Sequence, residues 1–276
     1  VTVNLAAVAI TINTLSTDDV INAAEKGTDL QLSGTTSGVE AGQTITVIFG
    51  GKSYTTTVAA DNTWGLTIPA ADLATLPDGA ANVQASVSNV AGNNAQATHV
   101  YSVDATAPSV TINTIASDDI LNAAEAGSAL TISGTSTAEA GQTVTVTLNG
   151  INYSGNVQAD GSWSVSVPTG DLADLTASPY TVSAAVSDKA GNPTSATHNL
   201  TVDLAAPVVT INTVAGDDII NATEHAQAQI ISGSATGATT GNTVSVTIGT
   251  TTYTTVLDAN GNWSIGVPAS VISALA

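Results

Sequence analysis

The chain has 276 residues, with 22 acidic side chains against three lysines and no arginine, for a formal net charge of −19. Nothing in it can neutralise a row of phosphates, which excludes nucleic-acid binding and a polybasic membrane-surface segment. No apolar run approaches membrane-spanning length, and the lack of cysteine removes disulfides and thiolate metal sites. Acidity with few aromatics can mean disorder, but 43% of the residues are hydrophobic and patterned, which argues for a folded, self-repelling protein. An extracellular chain without disulfides needs another stabiliser, and bound calcium is one.

Val1-Thr2-Val3-Asn4 is not a charged leader segment, so the sequence reads as part of a longer chain. Residues 4–7 match two later linkers, Val103-Asp104-Ala105-Thr106-Ala107-Pro108 and Val202-Asp203-Leu204-Ala205-Ala206-Pro207, with Asn4 in the place of the aspartate. An apolar run at 8–14 follows and recurs at 109–114 and 208–213. Next comes an acidic string, Asp-Asp-x-x-Asn-Ala-x-Glu, at 18–25, repeated at 118–125 and 217–224. Ser33-Gly34 recurs as Ser133-Gly134 and Ser232-Gly233, and Trp64 as Trp163 and Trp263, each tryptophan after a turn. Finally Ser88-Asn89-Val90-Ala91-Gly92-Asn93 matches Ser187-Asp188-Lys189-Ala190-Gly191-Asn192, and the third copy ends before this segment.

Whole-segment repetition means a tandem array, usually a spacer or a binder. The boundaries expected are 1–104, with 1–7 a linker remnant, then 105–203, then an incomplete 204–276. Each full unit is large enough to bury its own core.

Within a unit, apolar residues alternate with Thr and Ser, as in Ile45-Val47-Phe49 and Val144-Val146-Leu148, the mark of half-buried antiparallel strands. In the second unit the runs fall at 109–114, 129–134, 143–149, 151–157, 163–168, 180–187 and 196–202. The expected class is therefore all-β, a tandem array of seven-stranded immunoglobulin-like sandwiches. Asn149-Gly150 and Asp160-Gly161 suit tight hairpins. One helical turn is expected after the fifth run, at 70–74 and 170–173. The short proline-bearing linkers predict extended rather than flexible joints.

On this sandwich the acidic string lies at the end from which the last strand leaves. Asp18, Asp19 and Glu25 are expected near Asp104, and Asp118, Asp119 and Glu125 near Asp203. Asp217, Asp218 and Glu224 have no outgoing linker partner. The next unit's loops bring Glu139, Asp160 and Asp188 towards the first junction. Carboxylates crowded together repel unless a cation joins them, and calcium accepts six to eight oxygens. The alternative is that these are solvated turn residues, which applies most to Glu139, Asp160 and Asp188, since they do not recur in every copy.

Asn22, Asn122 and Asn221 read either as turn caps or as oxygen ligands. The tryptophans, and with them Tyr54, Tyr153 and Tyr253, read as packing residues, with sugar stacking the rival. His99 and His198 read as surface positions on the last strand. No histidine pair supports a transition metal, and no nucleophile, metalloprotease or phosphate-loop motif is present, so an enzyme is not expected.

Together, the acidic string, the Gly-x-Trp turn, Asp-x-Ala-Gly-Asn and the Val-Asp-x-x-Ala-Pro junction resemble bacterial immunoglobulin-like repeats of giant adhesins exported by type I secretion. The resemblance spans essentially the whole chain. It implies a surface-retained, monomeric fibre of stacked domains stiffened by calcium at the junctions, whose distal region binds host-cell glycans during virulence. The partners it implies for this segment are the neighbouring domains of the same chain. A calcium-dependent, lectin-like module that binds glycan itself is the competing expectation.

Overall fold

The computed structural model describes residues 7–176 and 178–275, which leaves Asn4 and its linker outside the described residues. These group into two bodies, one holding residues up to 120 together with 128–202, the other holding 121–127 and 203–275.

In the first body, the first repeat contains β1 (Ala9–Ile10), β2 (Val20–Asn22), α1 (Ala23–Lys26), β3 (Leu30–Ser37), β4 (Thr44–Phe49), β5 (Lys52–Thr57), β6 (Thr63–Ile68), α2 (Ala70–Leu73), β7 (Gly79–Ser88) and β8 (Asn94–Asp104). They form a sandwich of two sheets, β1-β3-β6 and β2-β8-β7-β4-β5. Alternation puts Ile45, Val47 and Phe49 of β4 inside and threonines outside. All pairings are antiparallel except one: β2 lies parallel to β8, with Val20 opposite Ser102 and Asn22 opposite Asp104.

The second repeat follows the same plan, with β9 (Ile120–Asn122), α3 (Ala123–Ala126), β10 (Leu130–Thr135), β11 (Thr143–Leu148), β12 (Ile151–Asn156), β13 (Ser162–Val167), α4 (Thr169–Ala173), β14 (Tyr180–Ser187) and β15 (Pro193–Asp203). The all-β, immunoglobulin-like class holds, and the strand at 180–187 coincides with its expected run. The run at 109–114 makes only an isolated bridge, Val110 to Ser136, although Thr111 and Asn113 donate backbone hydrogen bonds to Thr135 and Ser133. β2, β9, α1 and α3 are additions. They lie inside the acidic string, where a strand of three residues and a helix of four are too short to show a period. The Asn149-Gly150 turn has both residues at positive φ, 50° and 78°, as a tight right-twisting hairpin requires.

The second body holds β16 (Val208–Ile211), a short 3-10 turn at Glu224–Ala226, β17 (Gln229–Thr236), β18 (Thr243–Ile248), β19 (Thr251–Val256), β20 (Asn262–Val267) and α5 (Ala269–Ile272). β16, β17 and β20 form one sheet, and β18 and β19 form another. Val267 and Ile272 are buried at its core.

Three of the recurring sequence marks turn out to be one packing cluster. A Cβ on Gly34 would stand 1.9 Å from the Thr11 carbonyl oxygen and 2.6 Å from the Trp64 ring. Gly134 faces Thr111 and Trp163 in the same way, and Gly233 faces Thr210 and Trp263. Beside each glycine, Asn13 donates to Ser33 Oγ (3.0 Å), Asn113 to Ser133 (3.3 Å) and Asn212 to Ser232 (3.2 Å). The tryptophans are 1–3% exposed, so they are core residues and offer no face for stacking a sugar.

A second cluster ties the helical turn to the hairpin edge. Tyr54 Oη donates to Asp72 (2.6 Å), which also pairs with Lys52, and Tyr153 donates to Asp171 (2.8 Å). Burial, then the bond to the carboxylate, pushes both phenols up to about 12. In the third repeat Val271 stands where Asp72 and Asp171 stand in the others.

Gly134→Ala forces the Thr111 carbonyl and the Trp163 ring apart. It is expected to cost about 1–3 kcal/mol by overpacking, read as a lower urea midpoint for the second repeat with the first unchanged. The raised tyrosines carry a pH signature. Stability from the Tyr54 and Tyr153 bonds is fully present below the unfolded phenol value of about 10 and is lost as pH rises through about 12. Ultraviolet titration of tyrosinate should show late-ionising phenols at Tyr54 and Tyr153 beside Tyr101, which burial also raises; Tyr54→Phe and Tyr153→Phe should each remove one. An unchanged number in either variant would refute the assignment.

Candidate junction site

The acidic string is anchored by apolar residues on both sides. Leu15 and Ile21 are fully buried, each contributing about 1.5–3 kcal/mol. Between them the backbone enters the left-handed region at Ser16 (φ 49°), Thr17 (φ 87°) and Asp19 (φ 64°). The second repeat does the same at Ala116, Ser117 and Asp119, and the third at Ala215, Gly216 and Asp218. Such conformations cost energy in non-glycine residues and need support.

The second aspartate of the string supplies that support. Asp19 Oδ1 accepts from the Leu15 N–H (2.8 Å) and meets His99 Nε2 at 2.7 Å. Asp119 does the same with Ile115 (2.8 Å) and His198 (2.7 Å). Burial opposes the charged form of Asp19, but the Leu15 N–H and His99 hold its carboxyl below the usual range. For Asp119 the Ile115 N–H leads, His198 adds to it, and burial opposes them. The sequence reading put His99 and His198 on the surface; they are only one-quarter exposed and clamp the acidic loop to the last strand. Each histidine lies about eighty positions from its aspartate, so no local pattern could have found it.

Asn22 is a cap. Its Oδ1 accepts from Ala24 and Glu25 N–H, and Glu25 Oε2 accepts from Asn22 N–H (3.0 Å), a reciprocal box that closes α1. Asn122 with Glu125 closes α3 likewise, and Asn221 with Glu224 makes the same bonds. The first aspartate is less committed. Asp18, Asp118 and Asp217 each accept, through Oδ1, from the N–H two residues on, all at 3.0 Å. Asp218 closes its loop on Val214 N–H (2.8 Å).

Asp18 lines a cleft of about 430 Å³ with Ser102 and Asp104 of the first repeat and Glu139 and Lys189 of the second. A smaller cleft of about 280 Å³ shares Asp104 and Glu139 and adds Asp188, Thr106 and Pro108. The structure thus gathers Asp18, Asp104, Glu139 and Asp188 at the first junction. It leaves Asp19 and Glu25 off the walls of both clefts, and Asp160 closes its own turn on Ser162 (2.6 Å to Oγ). Asp203 Oδ1 accepts from Ala205 N–H (3.2 Å).

The linker is held by a residue the sequence reading passed over. Asp78 accepts from Ala105 N–H (3.2 Å) and Thr106 Oγ1 (2.6 Å), and these bonds hold its carboxyl low. Pro77-Asp78-Gly79 reads as a turn, which concealed this role.

The donors at the junction are hard carboxylate oxygens, the chemistry a calcium ion takes, with Lys189 the one cationic side chain on the cleft walls. Among the described residues, no group of three or more His, Asp or Glu side chains is already arranged to hold a metal. Nor, among the described residues, is any helix long and apolar enough to cross a membrane.

Comparison with known proteins agrees with this architecture. Residues 106–204 match the family described as bacterial Ig-like domain. Among solved structures, the chain is 40% identical to a Ca2+-stabilized adhesin that helps an Antarctic bacterium reach out and bind ice, over 95% of this chain and 66% of that one (TM-score 0.48). It is 37% identical, over 97% of this chain and 88% of the other, to a chain from work on host cell surface retention of a 1.5-MDa bacterial ice-binding adhesin (TM-score 0.49). A tetra-tandem repeat from the extending region of a large adhesion protein is 27% identical, over 95% and 66% (TM-score 0.35). Comparison with curated protein sequences gives no match. Residues 106–204 belong to the bacterial Ig-like domain family, and the chain is similar to chains from bacterial adhesins.

Proposed function

We propose that this chain is a stalk segment of a large bacterial surface adhesin, a file of sandwiches whose junctions are stiffened by calcium. One observation carries the reading: Asp18 and Asp104 of the first repeat and Glu139 of the second line one cleft, with Asp188 beside them. Four carboxylates against one lysine leave excess negative charge exactly where two domains meet, which favours separation unless a cation binds. Calcium bound there would supply the positive charge that lets Asp18, Asp104, Glu139 and Asp188 share that volume.

The chain's own groups prepare the junction. β2 fixes Asp18 beside the last strand, Asp78 holds the linker down, and the loop between β14 and β15 presents Asp188 and Lys189. A cation that binds only the assembled junction at about 100 times its dissociation constant favours it by about 2.7 kcal/mol. The Ca2+-stabilized adhesin at 40% identity supports the choice of metal. By sequence, Asp118 and Asp203 match Asp18 and Asp104, and Asp217 matches Asp18, whereas Asp119, Glu125, Asp218 and Glu224 match the carboxylates that close their own loops.

In this reading the segment stands outside the cell, exported by type I secretion. It is a monomeric spacer without enzymatic activity, which projects a distal region that binds host-cell glycans and serves virulence. Its motifs resemble those of the giant non-fimbrial adhesin of Salmonella. The buried tryptophans count against glycan binding by the segment itself.

Removal of calcium is expected to widen the range of interdomain angles while the sandwiches stay folded. Small-angle scattering with calcium and with chelator checks this: the distance distribution should change, with the circular dichroism retained. Asp104→Ala should reproduce that change at the first junction alone. Identical scattering curves in both conditions would refute the reading.

A further inference from the structure

The junction also holds a contact that needs no metal. Asn192, in the loop between β14 and β15, is 1% exposed, and its side-chain amide is bonded on both sides. Its Nδ2 donates to the backbone carbonyl of Asp104 (2.9 Å) and to Asp188 Oδ2 (2.9 Å). Its Oδ1 accepts from the backbone N–H of Ala23 (2.8 Å). Asp188 Oδ1 in turn accepts from the Asn192 backbone N–H (2.8 Å), which fixes the loop. Two acceptors face the nitrogen and one donor faces the oxygen, so the orientation of the amide is set by its partners.

The two partners across the junction are the last residue of β8 and the first residue of α1. They lie side by side, since Asn22, the residue before Ala23, is opposite Asp104 in the parallel pair. At Ala23 the asparagine satisfies the one early N–H of α1 that the Asn22–Glu25 box leaves over. The second repeat therefore completes the cap of a turn in the first. An N–H and a carbonyl left unpaired at this part-buried contact carry a cost, so the contact reports whether the two repeats are seated.

We infer that Asn192 is a cation-independent lock of the first junction, reading the exit end of the preceding repeat through Ala23 and Asp104. The partner surface it fits is a repeat whose acidic string continues into a capped Asn-Ala turn. The loop sequence Asp188-Lys189-Ala190-Gly191-Asn192 is the reader, and Asn22-Ala23 with Asp104 is what it reads. An aspartate at 192 cannot serve, because it would set a carboxylate against Asp188 and the Asp104 carbonyl. The lock needs no metal, although Asp188 belongs to both arrangements: it accepts from Asn192 and stands beside the carboxylates of the proposed calcium site.

The test measures the width of the interdomain distance distribution by electron–electron double resonance. The full chain carries spin labels at Thr55→Cys and Ser154→Cys, which are exposed positions in a chain without cysteine. In chelator, Asn192→Ala is expected to show a wider distribution than the parent chain does in chelator. Ala23→Pro attacks the same bond from the other side. Proline suits the first helical position, and Asn22 is already extended (φ −85°, ψ 179°), so the fold tolerates it while the N–H is removed.

The double variant should be no looser than Asn192→Ala alone, because that substitution already removes the bond to Ala23. Asn93→Ala, the same loop position in the first repeat and at the far end of β8, should leave this distribution unchanged. If Asn192→Ala is poorly folded, Ala23→Pro decides alone. Distributions in chelator as narrow as the parent's for Ala23→Pro, or for a folded Asn192→Ala, would overturn the inference. Failure of calcium to alter the parent would refute the calcium reading instead and leave the lock standing.

Discussion

Three residues of the acidic string, Val20–Asn22, join the edge of the long last strand in parallel, with Asn22 opposite Asp104. Every other feature of the junction follows from that pairing. Ile21 is drawn into the core and holds the strand in place. The register then puts Asp18 and Asp104 on one cleft and sets the N–H of Ala23 beside the carbonyl of Asp104. A shift by one residue would turn Ile21 outwards and separate these groups together. The exit face of a repeat is thus rigid before any neighbour or cation arrives.

The recurring carboxylates divide the work. The second aspartate closes a left-handed loop with the help of a histidine, and the glutamate closes a capping box with asparagine. These bonds explain their recurrence without reference to a metal. In the first repeat, Asp18 and Asp104 are the ones that line a cleft with the second repeat. Threefold repetition was therefore weaker evidence for cation binding than it looked, because local folding demands two of the four carboxylates. What points to a cation is the convergence on one cleft of side chains from two repeats.

Much of the fold was legible because strand signals are long and local. The run at 180–187 alternates cleanly and is a strand over those residues, and Asn149-Gly150 has the turn that such a pair favours. Gly34, Gly134 and Gly233 were visible only as marks of repetition, since their reason is a tryptophan about thirty positions away. The pieces within the acidic string were too short for periodicity, although Asn-x-x-Glu is itself a cap signature and could have been read as one. Asp78 and Asn192 act on backbone groups distant in sequence, and nothing in a single sequence announces such partners. The linker and the string are each local in sequence and could be read together, while the division of roles among their carboxylates required the structure.

The central claim is that the cleft between the first two repeats is a calcium site shared by both. Calorimetric titration of calcium into the chain, alongside Glu139→Gln, tests it most directly. Glu139 belongs to the second repeat, so a site shared across the junction should lose one binding event in that variant. Unchanged binding in Glu139→Gln, or no calcium binding by the parent chain, would contradict the account.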